Sequence, residues 1–160
     1  MNICVITMKN KIYNFTEENL YEQIINLIKQ NGYFLGCLKK EEQTEELCKL
    51  AVQQHPSALS FVEIEQTEEL CKMAVQQNGF ALQFVKNQTE EICKLAVQQN
   101  GYALSFVKNQ TEEICKLAVQ QNGYALSFVK NQTEEICKLA VQKNRRALKY
   151  VPESMKHLFM

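Results

Sequence analysis

Apolar side chains recur along most of this chain at helical spacing, in a block that returns every 22 residues. One copy, residues 89–110, reads TEEICKLAVQQNGYALSFVKNQ. At about 100° per residue, Ile92, Cys93, Leu95, Ala96 and Val97 share one broad face, and Glu90, Glu91, Lys94 and Gln98 fill the remainder. Such a face suits a helix flanked by neighbours. Thr89 is placed to cap it, since its hydroxyl accepts from an unpaired amide of the first turn. Glu90 and Glu91 add negative charge at the positive end of the helix dipole. Asn100-Gly101 predicts the stop, with glycine taking the left-handed conformation beyond the last turn. A shorter segment, Tyr102-Ala103-Leu104-Ser105-Phe106-Val107, follows before Lys108-Asn109-Gln110 and the next threonine. Each unit is thus expected to be a compact αα-hairpin of two unequal helices.

The Thr-Glu-Glu start recurs at Thr44, Thr67, Thr89, Thr111 and Thr133, at steps of 23, 22, 22 and 22 residues. Residues 89–110 and 111–132 are identical, the mark of tandem duplication with little divergence. A worn copy, residues 20–43, keeps Ile24, Ile28, Gln30-Asn31-Gly32-Tyr33 and Leu35 in matching places. The expected fold is an all-α tandem repeat, an αα-hairpin solenoid with a small N-terminal β-hairpin cap. Its organisation would be a cap over residues 1–19, a degenerate repeat over 20–43, and five repeats over 44–66, 67–88, 89–110, 111–132 and 133–151. Residues 152–160 would form the second cap. At the N-terminal end, Ile3, Val5 and Thr7 alternate with Cys4, Ile6 and Met8; Lys9-Asn10 would turn the chain and Ile12-Tyr13-Asn14-Phe15 return it. In the tail, Met155, Leu158 and Phe159 are the side chains placed to cover the final core, as the ends of a repeat array require.

A leucine-rich repeat is the rival at this period, because Leu104-x-Phe106-x-x-Asn109 echoes its strand signature. Against it, Gly101 stands where a leucine is needed, and the first and last units lack the asparagine. The short second helix is the better reading.

Lys plus Arg and Asp plus Glu balance at 18 each, so no overall charge points to nucleic acid or an anionic membrane. Only the last repeat is biased, through Lys143, Arg145, Arg146, Lys149 and Lys156. No stretch approaches the roughly 18 apolar residues of a membrane span. The apolar opening is short and lacks a basic leader, which argues against a signal peptide. Seven cysteines, an odd count, fit a reducing compartment. The Asn-x-Thr sites at Asn14, Asn87, Asn109 and Asn131 include three that are simply part of the repeat. An intracellular, cytoplasmic protein is expected.

The run Ala96-Val97-Gln98-Gln99-Asn100-Gly101 with Ala103-Leu104, its copy at Ala118–Gly123 with Ala125-Leu126, and the ending Ala147-Leu148-Lys149-Tyr150-Val151-Pro152 carry a resemblance. Over residues 20–151 the chain resembles a short helical repeat of unknown function found in giant viruses, amoeba-associated bacteria and protists. The resemblance implies helices and a viral or amoebal setting, and brings no catalytic residues with it. His55-Pro56-Ser57 and Asn144-Arg145-Arg146 depart from its Asn-Gly-aromatic turn, so a different bend is expected there.

Cys48, Cys71, Cys93, Cys115 and Cys137 hold one repeat position. A 22-residue step is not the close pairing of a zinc site. Stacked helices sit on the order of 10 Å apart, beyond the roughly 7 Å that a disulfide tolerates between Cα atoms. Small buried side chains are expected. His55 and His157 belong to no nucleophile motif, and the Glu-Glu pairs are copied too often to be one tuned site. No catalytic residue, cofactor or metal is therefore assigned, and the chain is not expected to be an enzyme. Repetition does offer ladders. Lys72, Gln76, Lys94, Gln98, Lys116, Gln120, Lys138 and Gln142, continued by Lys49 and Gln53, form the candidate interaction surface. The plainer role of these residues is a solvated face braced by Glu–Lys pairs. Ser105, Lys108 and Asn109 form a second strip, and Tyr102 and Tyr124 anchor a partner or pack on the next hairpin. The first expectation is a scaffold for a protein partner, viral or host-directed. A single-stranded nucleic-acid reader with one repeat per base comes second, and a self-associating structural module third; no membrane role is expected.

Overall fold

The computed structural model describes residues 4–8, 11–15 and 19–159. Strands β1 (Cys4–Met8) and β2 (Lys11–Phe15) pair antiparallel, with Cys4 opposite Phe15 and Met8 opposite Lys11. The role given to this hairpin, a cap on the first repeat, is not supported: the strands pack on each other. Ile3, the turn at Lys9-Asn10 and Met160 lie outside the described residues.

The chain divides into two compact units, Met1–Leu70 and Cys71–Met160. Six α-helices carry the repeats: α1 (Leu20–Gln30), α2 (Glu45–Gln54), α3 (Glu68–Gln77), α4 (Glu90–Gln99), α5 (Glu112–Gln121) and α6 (Glu134–Lys143). In the first unit α1 packs on α2, and the 3-10 helices Gly32–Cys37 and Pro56–Phe61 pack on α2 and on each other. In the second, α4, α5 and α6 stack in one layer. A second layer is the stack of 3-10 helices Gly79–Phe84, Gly101–Phe106, Gly123–Phe128 and Arg145–Tyr150.

The threonine caps form as the sequence implies: the Ile92, Ile114 and Ile136 amides donate to the hydroxyls of Thr89, Thr111 and Thr133 at 3.3 Å. The second helix of every repeat is a 3-10 helix of six residues. With three residues per turn, it turns Gly101, Leu104 and Val107 toward the core, while Ser105 stays exposed. Ile92, Cys93, Ala96 and Val97 meet Ala103, Leu104 and Val107 between the layers, all buried. Each fully buried Ile or Leu here contributes about 2 kcal/mol of transfer free energy. No single hairpin can bury this face, so stability comes from stacking.

The expected stop mechanism is corrected. Asn100 ends α4 in an extended conformation, φ −151° and ψ 113°, and none of the glycines takes a left-handed φ. The Asn100 side chain accepts from the Tyr102 amide at 3.0 Å and so starts the 3-10 helix. Glycine serves another need. A Cβ on Gly101 would lie 2.5 Å from the Ala118 carbonyl oxygen of the next repeat. Gly123 stands in the same relation to Ala140, and in the first unit Gly32 to Ala51. The divergent turns keep the common form: Pro56–Phe61 and Arg145–Tyr150 are six-residue 3-10 helices like the others. Pro56 fits because proline is suited to a helix's first turn.

Candidate interaction surface

The lysine ladder sits between two rows of glutamate. Lys94 pairs with Glu90 of its own helix at 3.1 Å and with Glu113 of the next at 2.8 Å. Lys116 does the same with Glu112 at 3.0 Å and Glu135 at 2.8 Å. Lys72 reaches Glu91 at 2.8 Å, and in the first unit Lys49 bridges Glu45 and Glu69. The two glutamates of each start therefore divide their work, the first within a repeat and the second across the junction. Hydrogen bonding to Glu113 and Glu90 holds the Lys94 ammonium above the usual lysine range, and Glu135 and Glu112 do so for Lys116. Lys138 pairs with Glu134 of its own helix and is more exposed than the interior lysines. Gln53, Gln76, Gln98, Gln120 and Gln142 are exposed one turn further on. Lysines and glutamines thus divide: the former brace the stack, and the latter face solvent. At the first rung Tyr21 and Ile25 stand at the places of Glu90 and Lys94, the Tyr21 hydroxyl donates to Glu46 at 2.9 Å, and an open groove of about 850 Å³ lies between α1 and α2.

The second strip is also drawn into the junctions. Lys108 Nζ donates to the Lys86 carbonyl at 3.0 Å and Lys130 Nζ to the Lys108 carbonyl at 3.3 Å, whereas Ser105 Oγ turns back within its own 3-10 helix to the Tyr102 carbonyl at 2.9 Å.

The glutamine just before each threonine cap is a residue that sequence reasoning passed over. Gln110 Nε2 donates to the Leu104 carbonyl of its own repeat at 3.3 Å and to the Phe128 carbonyl of the next at 2.9 Å. Its Oε1 accepts from the Lys130 amide at 3.0 Å and from the Cys115 thiol at 3.7 Å. Gln88 makes the same set around Phe106, Lys108 and Cys93. In the first unit Gln43 does so around Phe61, Glu63 and Cys48. One amide side chain satisfies groups of two repeats, which explains a half-buried glutamine at a fixed place. Its recurrence before every threonine was the available signal. A second glutamine adds to the junction, since Gln99 and Gln121 accept from the Gly79 and Gly101 amides at 2.7 and 2.8 Å.

The five repeat cysteines are buried and unbridged, as their spacing implied. Burial, with Glu45 nearby, pushes the Cys48 thiol up to about 11; desolvation raises Cys93, Cys115 and Cys137 as well. These thiols are weak donors inside the stack. Cys37, outside the ladder, is exposed.

The aromatic side chains form an outer line on the 3-10 layer. Phe80 meets Phe106 edge to face at 6.0 Å, Tyr102 meets Phe128 at 5.9 Å, and Tyr124 meets Tyr150 at 6.2 Å. Tyr33 meets Phe61 in the first unit at 6.1 Å and stacks on His55 at 4.6 Å. Tyr102 and Tyr124 thus pack on the next repeat, yet the line is only partly covered: Phe80 is 36% and Phe128 39% exposed. It leads to an open groove of about 630 Å³ lined by Tyr124, Arg145, Arg146, Leu148, Lys149 and Lys156. In the tail, Met155 and Phe159 are half-buried and Leu158 is exposed.

Among the described residues no helix is long and apolar enough to cross a membrane. No curated protein and no solved structure matches the chain. The model of one family, described as a domain of unknown function (DUF4116), matches residues 44–88, 67–111, 89–133 and 111–156 in overlapping register. Those matches span well over half of the sequence and coincide with the stacked repeats, and the chain belongs to the DUF4116 family.

Proposed function

We propose that the chain is a non-enzymatic protein-interaction scaffold whose docking surface is the aromatic line on the 3-10 layer. The observation that carries this reading is the pair of part-exposed rings on the 3-10 layer of the second unit, Phe80 and Phe128. Apolar rings exposed on an otherwise polar surface mark protein contacts, where aromatic residues are enriched. The lysines, glutamates and buried glutamines are engaged in holding repeats together, so their recurrence supports a structural role for them. The exposed Gln76, Gln98, Gln120 and Gln142 offer a second, polar strip on the α layer. Unbridged cysteines agree with an intracellular, cytoplasmic setting. A viral or host-associated context rests on the family resemblance alone.

Capture on immobilised wild-type chain and on a Phe80→Ser, Phe128→Ser variant tests this. A protein retained by the wild type and lost from a variant with unchanged circular dichroism supports the reading. Equal retention by both removes the aromatic line from consideration. Retention of RNA with no protein favours a nucleic-acid reader instead.

A further inference from the structure

Residues 89–110 and 111–132 are identical, so the changes in the following 22 residues stand out: Lys143 for Gln121, Arg145 for Gly123, Arg146 for Tyr124, Lys149 for Ser127, Tyr150 for Phe128, Pro152 for Lys130, Glu153 for Asn131 and Ser154 for Gln132. Four of these eight add positive charge, and three of the four converge on the groove beside Tyr124, with Lys156 from the tail, which is paired with Glu153 at 2.6 Å. Among the described residues no carboxylate pairs with Arg145, Arg146 or Lys149, whereas the interior ladder lysines Lys94 and Lys116 each hold two. The Lys149 ammonium lies over the Tyr150 ring at 4.7 Å and 5.5 Å from the Tyr124 ring centre.

From this geometry we infer that the groove at residues 145–156 binds an acidic peptide segment of a protein partner. Two uncompensated guanidinium forks suit carboxylates, which they bind through paired N–H donors. Nucleic acid is the poorer occupant. Tyr124 and Tyr150 are fixed edge to face and approached by an ammonium, so neither ring stands as an open platform for stacking a base. A second copy of the chain stacking as a further repeat is poorer still. Arg145 fills the slot where a Cβ on Gly123 would lie 2.5 Å from the next helix's carbonyl. Ser154 stands at the place of Gln110 and Gln132, so the last repeat has no glutamine to reach a further one as Gln110 reaches Phe128 and Lys130. The site rests on the scaffold reading for the class of partner, but not on the aromatic line.

The test uses the full chain and a fluorescein-labelled glutamate-rich 12-residue peptide, followed by anisotropy at low and moderate salt. A serine-rich peptide and a 12-nucleotide oligouridylate serve as competitors. The variant is Arg145→Gly with Arg146→Tyr, which restores residues the interior repeats already tolerate. The expected result is salt-sensitive binding that weakens by about tenfold in the variant, with little competition from the serine peptide. Binding unchanged in the variant, no binding at low salt, or oligouridylate displacing the peptide at lower concentration than the unlabelled peptide would each overturn the assignment. Phe80→Ser with Phe128→Ser is expected to leave peptide binding intact, so failure of the aromatic docking line shows separately.

Discussion

Repeats 111–132 and 133–151 share a threonine cap, the same Ile, Cys and Ala core positions and a six-residue 3-10 helix, yet they meet their surroundings differently. In the first, Gly123 admits the Ala140 carbonyl, the Tyr124 ring meets Tyr150, and the Lys130 amide donates to Gln110. In the second the same places hold Arg145, Arg146 and Pro152. The helices form either way, because cap and apolar spacing are local properties. What changes is the junction. The repeat sequence therefore carries two messages, one that builds a hairpin and one that joins it to its neighbours, and the last repeat keeps the first and loses the part of the second that would receive a further repeat.

The largest effect expected from this division lies at glycine. Gly101→Ala would place a methyl group against the Ala118 carbonyl, and the stack has to open to relieve it. A loss of about 3 kcal/mol is expected, at the upper end for overpacking. Arg145→Gly should change stability by less than about 0.5 kcal/mol, as exposed sites do. Urea titrations fitted with nearest-neighbour terms, as a repeat array needs, would check both. Equal losses at the two positions would break the comparison.

Next come the glutamine clips. Gln110→Ala leaves the Phe128 carbonyl and the Lys130 amide without a partner in the neighbouring repeat, and about 2 kcal/mol should be lost. Gln132 bonds the Leu126 carbonyl at 3.1 Å and the Cys137 thiol at 3.6 Å, and Pro152 has no amide to offer it. Gln132→Ala should cost about half as much, measured in the same titrations.

The same division explains what the sequence made legible. Period, caps, buried cysteines and the lysine–glutamate pairing are local or one-step properties, and each follows from Thr89, Cys93 or Lys94 and its spacing. Glycine's role was misread because a helix ending in Asn-Gly has a ready local explanation, whereas the Ala118 carbonyl that excludes a Cβ comes from the next repeat. Gln110 was missed for the same reason: its partners lie 18 and 20 residues ahead, and their arrangement exists only once hairpins stack. The basic bias at Arg145 and Arg146 was visible, but not its convergence with Tyr124 and Lys156 on one groove.

A smaller effect separates packing from docking in the aromatic line. A double-mutant cycle at Tyr102 and Phe128, each to alanine, should give a coupling of about 1 kcal/mol, typical of an edge-to-face pair. The cycle at Tyr124 and Tyr150 should give more, since Lys149 is lodged against both rings. Zero coupling at both would mean that the rings are held by the backbone alone and are wholly available to a partner.

The smallest effect concerns the lysine ladder. Lys116 is bridged by Glu135 and Glu112, which hold its ammonium above the usual lysine range. A basic group whose folded value exceeds its unfolded value adds stability while both states are protonated, and that contribution disappears as pH rises through the folded value. The bridge should therefore act throughout neutral pH and fade only under strongly alkaline conditions. Exposure and screening keep the effect small, as for surface pairs in general. Thermal unfolding followed from neutral to alkaline pH should show wild type and Lys116→Gln converging at the alkaline end, with the wild type ahead at neutral pH. Added salt should narrow the neutral gap. A gap that stays constant with pH would mean that Lys116 serves through its aliphatic stem against the stack, and that the junctions between repeats owe little to their charges.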